Sequence, residues 1–521
     1  MVDAVAAPSR PEAFGPKVLR VGVEAAAERL EAHLAGRASP RVLDLTEPSE
    51  LTRQARALMS QEHGAVPDFD GERLSRIIDL YVSKGIQLYS PGAMGRQFSG
   101  VVPLAGVIEF VTSVATQPAS FYEAGQLPNV VERIMGEEFS RFLGWDPGRM
   151  ALVTTSGGSL GNLTALLAAR NRHLPGFWAH GGARAGRAGR LAAIAVGEEV
   201  HYGVSRAAGI LGIGQDQVVR LPLNRRRQID TARAAERLRA ADRAGLDVFC
   251  LVASAGTTAV GAFDPLDELA DLAAERDLWL HVDGAHGASV LVSDALRGKL
   301  RGVEQVDSLV WDAHKLMFMP PPCTMLLYRD ATAAQGAFQQ QASYVFDAQP
   351  DLYAEFDSGG RNFECTKRPM IMALWAVWAM YGRRLFAERI EHVCAVTAAA
   401  HALLCEQPDF ETLHEPEANI LCFRYRPPGL EPRHVHRFQE LIRDQLRRDG
   451  EFFISKVDID ATAALRVVVM NPETSLAHVE ALLGEIRRVG RAALAGTLPG
   501  DTPEAGPREA GLYEPLGKDR L

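Results

Sequence analysis

Residues 247–287 read DVFCLVASAGTTAVGAFDPLDELADLAAERDLWLHVDGAHG, and their pattern decides the fold. Val248–Ala253 is an unbroken apolar run, as expected of a strand buried on both faces. Leu266, Leu269, Ala270 and Ala273 follow at helical spacing, and Leu278–Val282 is a second, mostly apolar run. Strand, helix and strand in close succession form the unit that joins parallel neighbours in a sheet.

The same alternation extends in both directions. Upstream, RMALVTTSGG (149–158) precedes the helical LGNLTALLAARNR (160–172), and downstream VDSLVWDAHK (306–315) is a further strand. The pattern predicts an α/β large domain whose mostly parallel sheet is covered on both faces. From about Leu385 the pattern becomes a long helix, a strand NILCFRYR (419–426), a helix HRFQELIRDQLRRD (436–449) and a strand LRVVVMN (465–471). The expected division is an N-terminal helical segment (1–115), a large domain (116–384), a small α+β domain (385–495) and a flexible tail (496–521).

Size and charge narrow the function. A chain of 521 residues exceeds one ordinary core and can bury a deep site. A formal net charge of -9 argues against general nucleic-acid binding, leaving a small molecule or a second copy of the chain as partner. The apolar stretch Ile371–Tyr381 is too short to cross a membrane and reads as a buried helix. Six cysteines without CxxC or CxxxC spacing indicate neither a metal site nor a disulfide framework. With no secretory leader evident either, a cytoplasmic location is expected.

Four strand ends carry the chemistry. In TTSGGSLGN (154–162) the glycines permit a tight turn before a helix, where N–H groups and Ser159 can face an anion such as phosphate. The same turn also serves as a plain helix cap, and without a following Lys-Ser or Lys-Thr it is not a nucleotide P-loop. Asp283 either caps a turn or keeps a heteroaromatic nitrogen protonated, and the small Gly284 and Ala285 let a planar ring lie close. Thr257 and Thr258 supply hydroxyls at the third end, while Asp264 before Pro265 reads as a structural cap of the next helix. The fourth is WDAHKLMFMPPPC (311–323), where Lys315 stands in an apolar stretch. It is either an exposed lysine snorkelling over Leu316, Met317 and Phe318, or a buried amine held for chemistry with a carbonyl. An anion seat, a ring-nitrogen partner and an amine together meet the needs of pyridoxal 5'-phosphate.

Five ordered motifs, SGGSLGN, EVHYGVSRAAGILGIG, SAGTTAVGAFDP, HVDGAHG and WDAHK, also resemble those of the group II pyridoxal-phosphate-dependent amino-acid decarboxylases. That family includes glutamate, cysteine-sulfinate, diaminobutyrate and aromatic amino-acid decarboxylases. The resemblance implies fold type I with a seven-stranded, mostly parallel sheet. It also implies a homodimer with active sites at the subunit boundary, where the N-terminal segment supplies part of the substrate wall. It makes Lys315 the internal-aldimine lysine, Asp283 the partner of the pyridine nitrogen, His201 the histidine stacked on the ring and Ala285 the residue beneath it. Ser159 and the backbone N–H groups of Leu160 and Gly161 are then the phosphate seat, assisted by His314, and Thr258 bonds near the phenolic oxygen or the substrate carboxylate. One position departs from the pattern. Many relatives carry Asn-Pro before His-Lys where this chain has Asp312 and Ala313, and because an acid repels a phosphate, Asp312 is expected to turn to backbone amides outside the site.

The cofactor alone does not choose the reaction. In QASYVFDAQPDLY (341–353), part of a mobile loop at about 331–358, Tyr344 resembles the tyrosine that protonates the α-carbon after carbon dioxide leaves. In LRVVVMNP (465–472), Arg466 resembles the arginine that binds the α-carboxylate. With Lys315, His201 and Tyr344 as catalytic residues, the resemblance implies decarboxylation of an L-amino acid to its amine and carbon dioxide. A carbon–carbon lyase of the sphingosine-phosphate lyase type, or an aldehyde-forming relative, is the alternative. The resemblance also puts Arg96, in GAMGRQFSG (92–100), in the substrate wall, where it weakly favours an acidic side chain, with basic and aromatic ones left open.

Overall fold

The computed structural model describes residues 15–36, 39–59, 69–181, 187–338, 354–364 and 366–496. Five helices come first: α1 (Pro16–Leu34), α2 (Pro48–Ala57), α3 (Gly71–Lys84), α4 (Pro103–Ala115) and α5 (Gln126–Leu143). Strands and helices then alternate through β1 (Ala151–Thr155), α6 (Gly158–His173), α7 (Phe177–His180), β2 (Leu191–Gly197), α8 (Tyr202–Ile210) and β3 (Val218–Leu221). The series continues with α9 (Thr231–Arg243), β4 (Leu246–Ser254), α10 (Leu266–Glu275), β5 (Trp279–Asp283), β6 (Ser308–Asp312), β7 (Thr324–Tyr328) and α11 (Ala331–Gln335).

These strands form one seven-stranded sheet in the order β1-β7-β6-β5-β4-β2-β3. The pairs from β6 through β3 are parallel, whereas β7 runs antiparallel to both β1 and β6. Every residue of β1, β5, β6 and β7 is buried, the outcome expected of apolar runs covered by helices on both faces. Close helix–sheet approach depends on two glycines. A Cβ on Gly161 of α6 would lie 3.0 Å from Val310 Cγ2 of β6, and one on Gly136 of α5 would lie 2.9 Å from Leu152 Cβ of β1.

Helix α12 (Ile371–Cys405) breaks at Gly382, whose φ of 65° and ψ of -173° are not helical. Beyond it lie β8 (Phe410–Thr412), β9 (Ile420–Tyr425), α13 (Val435–Asp449), β10 (Ser455–Ile459), β11 (Thr462–Val468) and α14 (Leu476–Leu494). Their four strands make an antiparallel sheet, β10-β11-β9-β8. The segment after α3 docks on this sheet: Met94 N–H donates to Phe453 O at 2.9 Å, and Val468 N–H donates to Met94 O at 2.8 Å. The turn carrying Arg96 is thereby held beside β11, which carries Arg466.

Asp264 is structural, though not as the cap of the next helix. The N-cap is Pro265, while the buried Asp264 carboxyl accepts the N–H groups of Ile229 and Ser254, each at 2.7 Å. Burial pushes its carboxyl up to about 7.

Candidate active site

The carboxyl ends of the parallel strands surround a cavity of about 250 Å³. After β6 ends at Asp312 the chain reverses through 313–323 into the antiparallel β7, and Lys315 sits in this reversal. His314 pins the turn: its backbone N–H donates to Cys323 O at 3.2 Å, and its Nδ1 lies 3.0 Å from Cys323 O and 3.3 Å from Cys323 N. Leu316, Met317, Phe318 and Met319 are all buried, so the lysine is anchored by its apolar neighbours and does not snorkel over them. The Lys315 side chain is 18% exposed and lines the cavity.

Asp312 requires a correction. It was expected to turn away to backbone amides, yet its carboxylate lines the cavity, with Oδ2 3.0 Å from Lys315 Nζ and Oδ1 accepting the Thr324 hydroxyl at 2.6 Å. A carboxylate accepts only, and the ammonium and hydroxyl are the donors that the reversal brings to it. His314 Nε2 lies 3.5 Å from the same Oδ2.

The glycine turn is also arranged differently from expectation. The N–H groups of Leu160 and Gly161 close the first turn of α6 on Gly157 O, at 3.0 and 3.1 Å. Neither residue lines the cavity, and Gly161 serves the packing of α6 on β6. Ser156, Gly157, Gly158 and Ser159 line it instead, and the first N–H groups of a helix have no acceptor within it. A Cβ on Gly158 would stand 3.1 Å from the Asp312 carboxylate and 3.2 Å from Ala285 Cβ, so only glycine leaves this part of the floor clear.

Opposite the lysine, Asp283 ends β5. Its Oδ1 accepts Ala285 N–H at 3.2 Å and its Oδ2 accepts Asn162 Nδ2 at 2.9 Å. His201 caps α8, and its Nδ1 accepts Gly203 N–H at 3.2 Å. Burial foremost lowers the His201 imidazole from its ordinary value, which favours the neutral ring with its proton on Nε2. Thr258 stands exposed at the cavity mouth.

Arg466 lies outside the cavity lining but close to it. Its Nε donates to the carbonyl of Ala259, next to Thr258, and its Nη1 donates to Ser455 Oγ, both at 3.1 Å. Its Nη2 is buried without a hydrogen-bond partner. Burial, and then the like charge of Arg96, lower the Arg466 guanidinium from its ordinary value. Arg96 itself is exposed, and Tyr344 lies outside the described residues.

Sequence reasoning missed Asn162, Asp312 and His286 as site residues. Asn162 closes the motif SGGSLGN, and its position four residues after Gly158 puts it on the same helix face. His286 lines the cavity and pairs through Nε2 with Asn419 Oδ1 at 2.7 Å; burial brings it down to about 3.

The donor set fits pyridoxal 5'-phosphate: an amine in an apolar turn, a carboxylate fixed by two donors, a neutral imidazole and a glycine-floored helix N-terminus. Residues 130–426 match the pyridoxal-dependent decarboxylase conserved domain. The chain belongs to the pyridoxal-dependent decarboxylase family. This decarboxylase is 30% identical over 464 residues to the cysteine sulfinic acid decarboxylase of Rattus norvegicus, covering 87% of this chain and 92% of the relative. It is 27% identical over 430 residues to the acidic amino acid decarboxylase GADL1 of Xenopus tropicalis, covering 81% and 83%. The crystal structure of mouse CSAD in apo form superposes with a TM-score of 0.82 at 26% identity, covering 91% of this chain and 98% of that one. The decarboxylase is therefore a PLP-dependent carboxy-lyase acting on an amino acid, and a lyase of the sphingosine-phosphate lyase type is not favoured. No helix among the described residues is long and apolar enough to cross a membrane.

Proposed function

We propose that this decarboxylase acts on an L-amino acid with an acidic side chain, releasing carbon dioxide and the corresponding amine. The observation that carries this reading is the buried, unpartnered Nη2 of Arg466 next to the cavity-lining Thr258, with the exposed Arg96 on the turn held beside the same strand. Arg466 keeps a buried, unpartnered Nη2 for the α-carboxylate, and Arg96 brings a second positive charge near enough to bear on Arg466. Two cations suit a substrate with two anionic groups. The names of the relatives, cysteine sulfinic acid decarboxylase and acidic amino acid decarboxylase, agree with it.

In this reading Lys315 Nζ would hold the cofactor through its aldehyde, the Asp283 carboxylate would serve its pyridine nitrogen, and His201 and Ala285 would bound its ring. Ser159 with the glycine turn holds the phosphate, supported by His314, and Thr258 stands near the substrate carboxylate. Bound PLP supplies an electron sink for the α-carbon bond that breaks. Asp312 would orient the Lys315 side chain through the 3.0 Å contact of Oδ2 with Nζ, and the Tyr344 phenol would return a proton to the α-carbon.

Amine and carbon dioxide measured over a panel of amino acids should be largest for aspartate, glutamate or cysteine sulfinate. Faster release from lysine or phenylalanine would sink the acidic assignment. In the same assay Arg96→Glu should lower kcat/KM for the acidic substrate about tenfold or more, given charge-assisted bonds of roughly 1.5–3 kcal/mol. Tyr344→Phe should cut amine yield, and an unchanged yield would remove Tyr344 from the mechanism.

The decarboxylase also reads as a homodimer. Val107, Phe110, Val111 and Val114 form an exposed apolar stripe at helical spacing on α4, and Leu19, Val23, Leu30 and Leu34 form another on α1. Sedimentation should give twice the chain mass, reduced by Val111→Glu; a monomer at micromolar concentration would contradict this. The free thiols of Cys250, Cys323, Cys394, Cys405 and Cys422 suit a cytoplasmic location, which a disulfide among them in freshly isolated protein would contradict.

A further inference from the structure

β5 presents Trp279, His281 and Asp283 at alternate positions, so their side chains share one face of the sheet. His281 stands opposite Ser308 of the neighbouring β6, and α6 packs on both strands. Four hydrogen bonds connect five buried residues across these three elements. Trp279 Nε1 lies 2.9 Å from Ser308 Oγ, and Ser308 Oγ lies 2.8 Å from His281 Nδ1. His281 Nε2 is 2.8 Å from Asn162 Oδ1, and Asn162 Nδ2 is 2.9 Å from Asp283 Oδ2.

The chemistry of the two ends fixes the direction of every link. An indole N–H only donates and a carboxylate only accepts. Asn162 must therefore turn its NH₂ to Asp283, which leaves its carbonyl facing His281 and requires the proton on Nε2. Burial brings His281 down to about 3, so the ring is neutral and Nδ1 is an acceptor. Ser308 then donates to Nδ1 and accepts from Trp279. Reversing any link would set two acceptors or two donors against each other in a dry interior.

We propose that Trp279, Ser308, His281 and Asn162 are positioning residues, a one-way hydrogen-bond chain that orients the Asp283 carboxylate towards the pyridine nitrogen of the cofactor. The inference rests on the reading of Asp283 as the ring-nitrogen partner. Without Asn162, the carboxylate would keep the Ala285 N–H bond to Oδ1 at 3.2 Å, and Oδ2 would lose the Asn162 amide that holds it. Ser308 does not line the cavity, so any effect of its hydroxyl on the cofactor has to travel through His281 and Asn162.

The test uses the full-length apoprotein reconstituted with PLP labelled with ¹⁵N in the ring. The two readouts are the ring-nitrogen chemical shift and the dissociation constant for PLP. Asn162→Ala should weaken PLP binding about tenfold or more and move the shift towards unprotonated pyridine. Ser308→Ala should move both in the same direction by less, and Ser308→Thr, which keeps the hydroxyl, should stay near wild type. A purely structural role would lower the unfolding temperature while leaving both readouts in place. The proposal is overturned if both alanine variants keep the wild-type shift and bind PLP within about twofold of wild type. Should Asn162→Ala fail to fold, Ser308→Ala decides alone. Asp283→Ala separates the two levels: if it leaves the shift unmoved, the ring-nitrogen assignment itself fails, whereas a shift moved by Asp283→Ala alone removes only the chain.

Discussion

Lys315→Ala is expected to abolish carbon dioxide release, lowering kcat by about three orders of magnitude or more. Borohydride reduction should then fix no cofactor to the denatured chain. The reason is geometric: Lys315 Nζ is the amine that the reversal after β6 delivers to the cavity, and no other described residue lining it carries a primary amine. Binding of PLP should weaken without vanishing, because the glycine turn, Asp283 and His201 remain in place. The loss of the amine also leaves Asp312 without its ammonium partner, and the Thr324 hydroxyl then remains on one carboxylate oxygen. Lys315→Arg keeps a positive charge near Asp312 but cannot condense with an aldehyde, so it separates charge from covalent chemistry. Covalently retained cofactor in either variant would disprove the assignment of Lys315.

How far the site is legible in the sequence depends on whether a contact is local. Lys315 and Asp283 each stand at the end of an apolar run, so a strand ending and a polar residue are read together, whereas His201, preceded by Glu198 and Glu199, is legible only through the resemblance of its motif; the structure brings all three to one cavity. Asp312 was misread because electrostatics was argued from an absent phosphate, while the donors that hold it, Thr324 and Lys315, meet it only when β7 turns back on β6. Leu160 and Gly161 were misread because adjacency in a motif does not say which N–H groups a helix consumes in its own first turn. The alternation of Trp279, His281 and Asp283 was open to reading as one strand face, but the link through Asn162 depends on the packing of α6, which no local pattern encodes. In the small domain β9 and β11 were legible as apolar runs. The strands β8, three residues long, and β10, with the alternating pattern SKVDI, carry too little apolar signal to be read.

The second large effect lies behind the glycine turn. Lys367 is wholly buried, and its Nζ reaches both Glu132 carboxylate oxygens, at 2.8 and 3.1 Å. The Thr154 hydroxyl donates to the same carboxylate at 2.6 Å. Burial lowers the Lys367 amine from its ordinary value, and Glu132 opposes that shift. The pair therefore ties the segment leading into α12 to α5 and to β1, whose end runs directly into Ser156 and the glycine turn. Glu132→Leu should lower unfolding stability by about 3–5 kcal/mol, the usual consequence of stranding one charge of a buried pair. The companion change Lys367→Met should restore much of this loss when combined with it, since an apolar pair of similar volume often replaces a buried ion pair without net destabilisation. Urea unfolding of the apoprotein, wild type and the three variants, measures the cycle. A single-variant loss below about 1 kcal/mol, or a double variant no more stable than Glu132→Leu, would show that the two charges do not depend on each other.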